Sequence, residues 1–101
     1  MIWILACAAA MAEDIPAFVI EMRDGVATPQ QLDVPARKTI KIIIRNTGTT
    51  PVEFESHELR KEKVVPPQSE GSLIIRSLAP GTYPFFDDFH PKGTRAFLVA
   101  K

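Results

Sequence analysis

Residues 78–91 read L-A-P-G-T-Y-P-F-F-D-D-F-H-P, and the fold is decided by how this stretch is read. Pro80-Gly81 is a turn pair, since proline withholds a backbone donor and glycine accepts conformations that other residues avoid. Tyr83 and Phe85 then fall on one face of an extended segment, with the two-residue alternation of a half-buried strand. At its end Asp87, Asp88 and His90 sit among Phe85, Phe86 and Phe89, directly before Pro91. Two carboxylates and an imidazole among aromatic rings exceed what a solvent-facing turn requires, and they mark the first candidate site.

The same grammar continues in both directions. Phe18, Ile20 and Met22 alternate until Asp24-Gly25 breaks the run, and Ile40, Ile42 and Ile44 alternate with Lys41 and Arg45 as far as Asn46-Thr47-Gly48. Val52 and Phe54, Leu73 and Ile75, and Phe97 and Val99 supply three further stretches. β-Branched and aromatic residues dominate them, as a pleated, half-buried surface favours. The chain has nine prolines and five glycines, and Pro35, Pro51, Pro66-Pro67 and Pro80-Gly81 all fall between the apolar runs, where loss of a donor costs least. No segment sustains helical periodicity over three turns. These features predict an all-β, Greek-key β-sandwich.

A second candidate site lies at Pro51–Glu58, P-V-E-F-E-S-H-E. If Val52 and Phe54 face the core, alternation puts Glu53, Glu55 and His57 together on the other face. The plain alternative is a solvated strand surface. The chain has two histidines, His57 and His90, one in each cluster, which favours a shared site.

Composition narrows the function. The 101 residues carry 12 basic and 12 acidic side chains, so there is no broad positive field to attract nucleic acid. Residues 1–12, MIWILACAAAMA, are uniformly apolar, and every charged residue lies beyond them. The run is shorter than the about 20 residues a membrane-spanning helix needs. It suits the apolar region of a secretory signal, with Ala10-Met11-Ala12 as a cleavage pattern before Glu13, although no positive segment precedes it. Acylation at Cys7, or an apolar element of the fold, are the alternatives. The expected organisation is a signal remnant over 1–12 and one domain over 13–101, exported and not inserted in the membrane after processing. Cys7 is the single cysteine, so no disulfide holds that domain.

Residues 78–91 resemble the closing motif of cupredoxins, L-x-P-G-x-Y-x-F followed by a cysteine, then H-P and a final strand. Asn46-x-Gly48-x-x-Pro51 is similar to the loop before their first copper histidine. The resemblance places Asp87 at the cysteine position and Val52 at that histidine, and no methionine follows His90. A blue-copper centre needs two histidines, a thiolate and usually an axial methionine, so a blue-copper electron carrier is excluded. E-F-E-S-x-E-L-R-x-E-K-V-V-P-P further resembles a signature of periplasmic proteins of bacterial high-affinity iron uptake, namely the small cupredoxin of the Ftr-type ferrous-iron system and the N-terminal cupredoxin domain of the Efe-type system. This resemblance implies a periplasmic protein that binds copper or iron, oxidises Fe(II) to Fe(III) in a ferroxidase-like role, and works with an iron permease and the other uptake components. A non-redox iron or copper carrier and a metal-free interaction module are the alternatives.

The residue chemistry accords with that implication. Carboxylates with imidazole suit Fe(II), Fe(III), Mn(II) or Cu(II) better than Cu(I). The expected ligands are Glu53 or Glu55 with Asp87, Asp88 and His90, while His57 and Glu58 are further ligands or partners of ligands. Glu62, among Arg60, Lys61 and Lys63, is expected to be solvated.

Overall fold

The computed structural model describes residues 15–101. The apolar N-terminal run, the export signal read from it and the boundary at Glu13 lie outside the described residues. The described chain forms β1 (Ala17–Arg23), β2 (Val26–Thr28), β3 (Gln31–Val34), β4 (Ile40–Asn46), β5 (Val52–Ser56), β6 (Lys61–Val65), β7 (Ser69–Ile75), β8 (Gly81–Asp87) and β9 (Ala96–Ala100). They assemble into two sheets, in the orders β2-β1-β4-β7 and β3-β9-β8-β5-β6. β1 lies parallel to β4, and β3 parallel to β9, while the remaining neighbours are antiparallel. Parallel neighbours cannot be joined by a tight hairpin, so the chain must cross between the sheets, and the all-β Greek-key sandwich expected from the sequence results.

Alternation puts the core where the two sheets meet. Ile40, Ile42 and Ile44 of β4 are fully buried and face Val52 and Phe54 of β5, Phe85 of β8 and Leu98 of β9 in one apolar cluster. Phe54 and Phe85 stack with ring centroids 5.0 Å apart. Each such large apolar side chain contributes about 1.5–3 kcal/mol on burial. The polar side of β4 serves the neighbouring strand: Arg45 lies opposite Glu70 of β7, and the two form an ion pair of 2.7 Å.

Two polar side chains shape the loops, Asn46 from the interior and Tyr83 from nearer the surface. Asn46 donates through Nδ2 to the carbonyls of Thr50 (2.8 Å) and Val65 (3.0 Å), and its Oδ1 accepts the Gly48 N–H (2.9 Å). The Tyr83 hydroxyl donates to the Ala79 carbonyl at 2.7 Å, which pins the Pro80-Gly81 bend at the start of β8.

The last strand departs from expectation. Ala96, Leu98 and Ala100 face the core, whereas Phe97 is 37% exposed and Val99 also points outward. Leu98 with two small alanines fills the space beside the Phe54–Phe85 stack. Phe97 instead sits opposite Pro84 in register on the outer surface. β2, β3 and β6 are further short strands that the apolar runs did not mark; β6 lies at a sheet edge and carries Lys61, Glu62 and Lys63, charges that discourage pairing with another chain.

Candidate metal centre

Asp87 follows the inward alternation of β8, two residues after Phe85, and is 4% exposed. A buried carboxylate is costly unless both oxygens find donors. Its Oδ1 accepts the backbone N–H of Glu53 and of Phe89, each at 3.0 Å, and its Oδ2 lies 2.6 Å from Nδ1 of His90. The other ring nitrogen of His90, Nε2, is 3.2 Å from the Thr50 hydroxyl, which donates to Asp24 at 2.8 Å. The β1–β2 turn, the β4–β5 loop and the β8–β9 loop are thereby joined by one line of polar contacts.

This junction also depends on close backbone approach. Gly25, at φ +89°, lies under the His90 ring, and its carbonyl accepts the Thr94 N–H at 2.7 Å. A side chain at Gly93 would run into that carbonyl, so glycine is required there for steric reasons.

A second group of ligand-type residues occupies the outer surface of the same sheet. Glu53 and Glu55 point outward from β5, and β5–β6 pairing sets Glu55 directly opposite Glu62. One carboxylate oxygen from each of Glu53, Glu55 and Glu62 lies within 4.8 Å of the others. His57, in the turn after β5, bonds Glu55 Oε2 through Nε2 at 2.9 Å and meets the Phe86 ring edge-on at 5.5 Å. Asp88 flanks Glu53: its N–H donates to the Glu53 carbonyl at 2.9 Å, and the two side chains share a hydrogen bond.

Glu53 registers this crowding. Its carboxyl is held above the usual carboxylate range, chiefly by partial burial, then by the hydrogen bond with Asp88 and by the charges of Glu62, Asp88 and Glu55. A folded state that holds its proton more tightly than the unfolded chain loses stability as pH rises through the unfolded value, and the loss is complete above the raised one. Glu53→Gln is therefore expected to raise the melting temperature of the metal-free domain at pH 7, with the gain vanishing as pH falls below the ordinary glutamate range. Melting curves in EDTA across that range check this, and a variant that melts lower at pH 7 would mean that the carboxylate stabilises the fold.

The six residues expected to form one site thus fall into two groups. Asp87 and His90 form an inner pair, while Glu53, Glu55, His57 and Asp88 share the outer surface, and Glu58 stays exposed in the turn beyond. His57 and His90 do line a common cleft of about 620 Å³, together with Phe86 and Phe97. Glu62 is exposed, as expected, yet its carboxylate completes the outer trio because β6 pairs with β5. Thr50 as a partner of His90, and Asp24 as the partner of Thr50, are not legible in the sequence, since they come from loops 40 and 66 residues away from His90 along the chain.

The donor set decides which metals suit these residues. Val52, which the resemblance sets at the first-histidine position, is fully buried in the apolar core, Asp87, set by it at the thiolate position, is a carboxylate, and both nitrogens of His90 already have partners. The inner position therefore does not fit a copper centre of the blue type. Three clustered carboxylates with an imidazole alongside fit a hard or intermediate divalent cation.

The fold has known counterparts. The chain is 38% identical over 80 residues to an uncharacterized protein of Rickettsia prowazekii (strain Madrid E), a match that covers 79% of this chain and 64% of that protein's length. Among solved structures it is similar to dithionite-reduced auracyanin from Roseiflexus castenholzii, with TM-score 0.68 and 14% identity over 88% of this chain and 99% of that one. It is also similar to a copper binding protein in the apo form, with TM-score 0.72 and 13% identity over 84% and 86% of the respective chains. The family profile described as a cupredoxin-like domain matches residues 1–100, and with the two-sheet topology above this shows that the chain belongs to the cupredoxin-like domain family.

Proposed function

We propose that this protein is an exported, periplasmic metal-binding domain of a ferrous-iron uptake system, which holds Fe(II) as cargo and favours its oxidation to Fe(III) before delivery to an iron permease. The observation that carries the reading is the convergence of Glu53, Glu55 and Glu62 within 4.8 Å on an accessible strand surface. Asp88 and His57 at its margin are the further donors. Oxygen ligands stabilise ferric over ferrous iron, so binding here lowers the potential of the bound ion. The electron leaves to an external acceptor, dioxygen or Cu(II), because no thiolate of a blue-copper relay lies among the described residues.

Anaerobic titration of the domain with Fe(II), followed by admission of oxygen, tests this reading. Binding tighter than millimolar and faster appearance of Fe(III) than in buffer are expected. Binding without faster oxidation would reduce the role to that of a carrier. Failure to bind Fe(II) or Cu(II) would leave a metal-free interaction module.

A further inference from the structure

We infer that the Asp87–His90 pair is a latch that takes the place of a metal at the inner position: it closes the three loops without an ion, and through Asp87 it anchors the outer carboxylate surface. Three observations converge on this. First, the pair is already saturated. Asp87 uses Oδ1 for two backbone N–H groups and Oδ2 for His90, and the 2.6 Å between Oδ2 and Nδ1 is a hydrogen-bond separation. Two atoms bound to one metal at about 2.0–2.2 Å each are held further apart than that in tetrahedral or octahedral geometry. Second, the remaining ligand positions are blocked. Val52 is fully buried among apolar side chains, and Nε2 of His90 is engaged by Thr50.

Third, the latch grips the strand that carries the outer carboxylates. The Glu53 N–H donates to Asp87 Oδ1 at 3.0 Å, and the Glu53 carbonyl accepts the Asp88 N–H at 2.9 Å. Glu53 is thus held on both sides of its Cα by consecutive residues of the β8 end, which sets where its side chain leaves the sheet. Asp87 is a positioning residue for the outer surface and does not touch the ion. This last step rests on the proposed role of that surface; the closure of the inner position does not.

The test begins with the full chain in EDTA. Asp87→Asn and His90→Ala should each lower the melting temperature by about 10 °C with no metal present, because a charge-assisted, partly buried contact is lost in either case. One equivalent of Cu(II) should move the melting temperature of the wild type no more than it moves that of His90→Ala. Side-chain NMR of the wild type, carboxyl carbon for the glutamates and ring nitrogen for the histidines, keeps the inference testable if Asp87→Asn does not fold. On addition of Zn(II), signals of Glu53, Glu55, His57 and Glu62 should shift while the His90 ring signals stay in place. Where Asp87→Asn folds, its Zn(II) affinity should fall about 10-fold or more, as for loss of a residue supporting a ligand. Unchanged melting of both variants in EDTA, or a His90 ring nitrogen that moves onto Zn(II), would overturn the latch. If the wild type takes up no Zn(II) or Fe(II), the proposed cargo role fails, and the melting of the EDTA-treated variants still decides whether the pair is a latch.

Discussion

Replacing Glu53 and Glu55 together by glutamine should weaken Fe(II) binding by about 100-fold or more while the β-sheet circular dichroism stays unchanged. Hard cations select for ligand charge and oxygen number, and the double substitution removes two of the three carboxylates that converge on the outer surface. The amides preserve size and polarity, so the backbone bonds from Glu53 to Asp87 and Asp88 remain available. Relief of repulsion should make the metal-free variant at least as heat-stable as the wild type. Glu62→Gln alone should cost less, because Glu62 is more exposed than Glu53 or Glu55 and water can take its place as an oxygen ligand. Anaerobic titration calorimetry with Fe(II), with Mn(II) as a redox-inert substitute, measures both variants against the wild type, and melting curves in EDTA measure their stability. Retention of wild-type affinity in the double variant would remove the outer carboxylates from the metal site.

Asn46→Ala should be among the most damaging single substitutions, with a loss of about 3 kcal/mol or more in urea unfolding. Asn46 is 1% exposed, and its side chain makes the three bonds to Thr50, Val65 and Gly48. Alanine removes the donor of the buried bond to the Val65 carbonyl and the acceptor of the buried Gly48 N–H, each costing about 1–3 kcal/mol unless the loop opens to water, and also the part-buried bond to the Thr50 carbonyl. Opening the loop would in turn withdraw Thr50 from His90. Asn46→Asp separates the contributions, since a carboxylate still accepts from Gly48 but cannot donate to Val65 or Thr50. It should be at least as unstable as Asn46→Ala at pH 7. An Asn46→Ala domain within about 1 kcal/mol of the wild type would show that water or a rearranged loop meets these groups at little cost.

The candidate site is partly legible in the sequence. Asp87 and His90, three positions apart at the end of a strand, stand out as ligand-type residues, and they do touch. Their relation to Glu53 was not visible, because it runs through a backbone N–H and not through a matched pair of side chains. Glu62 looked like one charge among lysines and an arginine. Only the antiparallel register of β5 and β6 turns it toward Glu55. Phe97 illustrates the converse error: an aromatic residue in an apolar run invites placement in the core, yet β9 turns Leu98 inward and leaves Phe97 outside. A one-residue change of register reverses every side chain in a strand, and local hydrophobicity does not distinguish the two phases when both faces carry apolar residues.

The sequence carried the class of fold and the exclusion of a blue-copper centre. Alternating isoleucines between proline and glycine turns leave the chain no comparable burial as a helix, so a sandwich follows from periodicity alone. The absence of a cysteine beyond Cys7 removes the soft ligand of blue copper whatever the coordinates. Which carboxylates gather on the outer surface and which one holds the scaffold is set by the tertiary structure. Asp87 and Asp88 are adjacent and chemically identical, yet alternation at the end of β8 buries the first against His90 and backbone donors and exposes the second beside Glu53. The physical reason is that a carboxylate's role depends on the donors around it, and in this fold those donors arrive from strands and loops far apart in the chain.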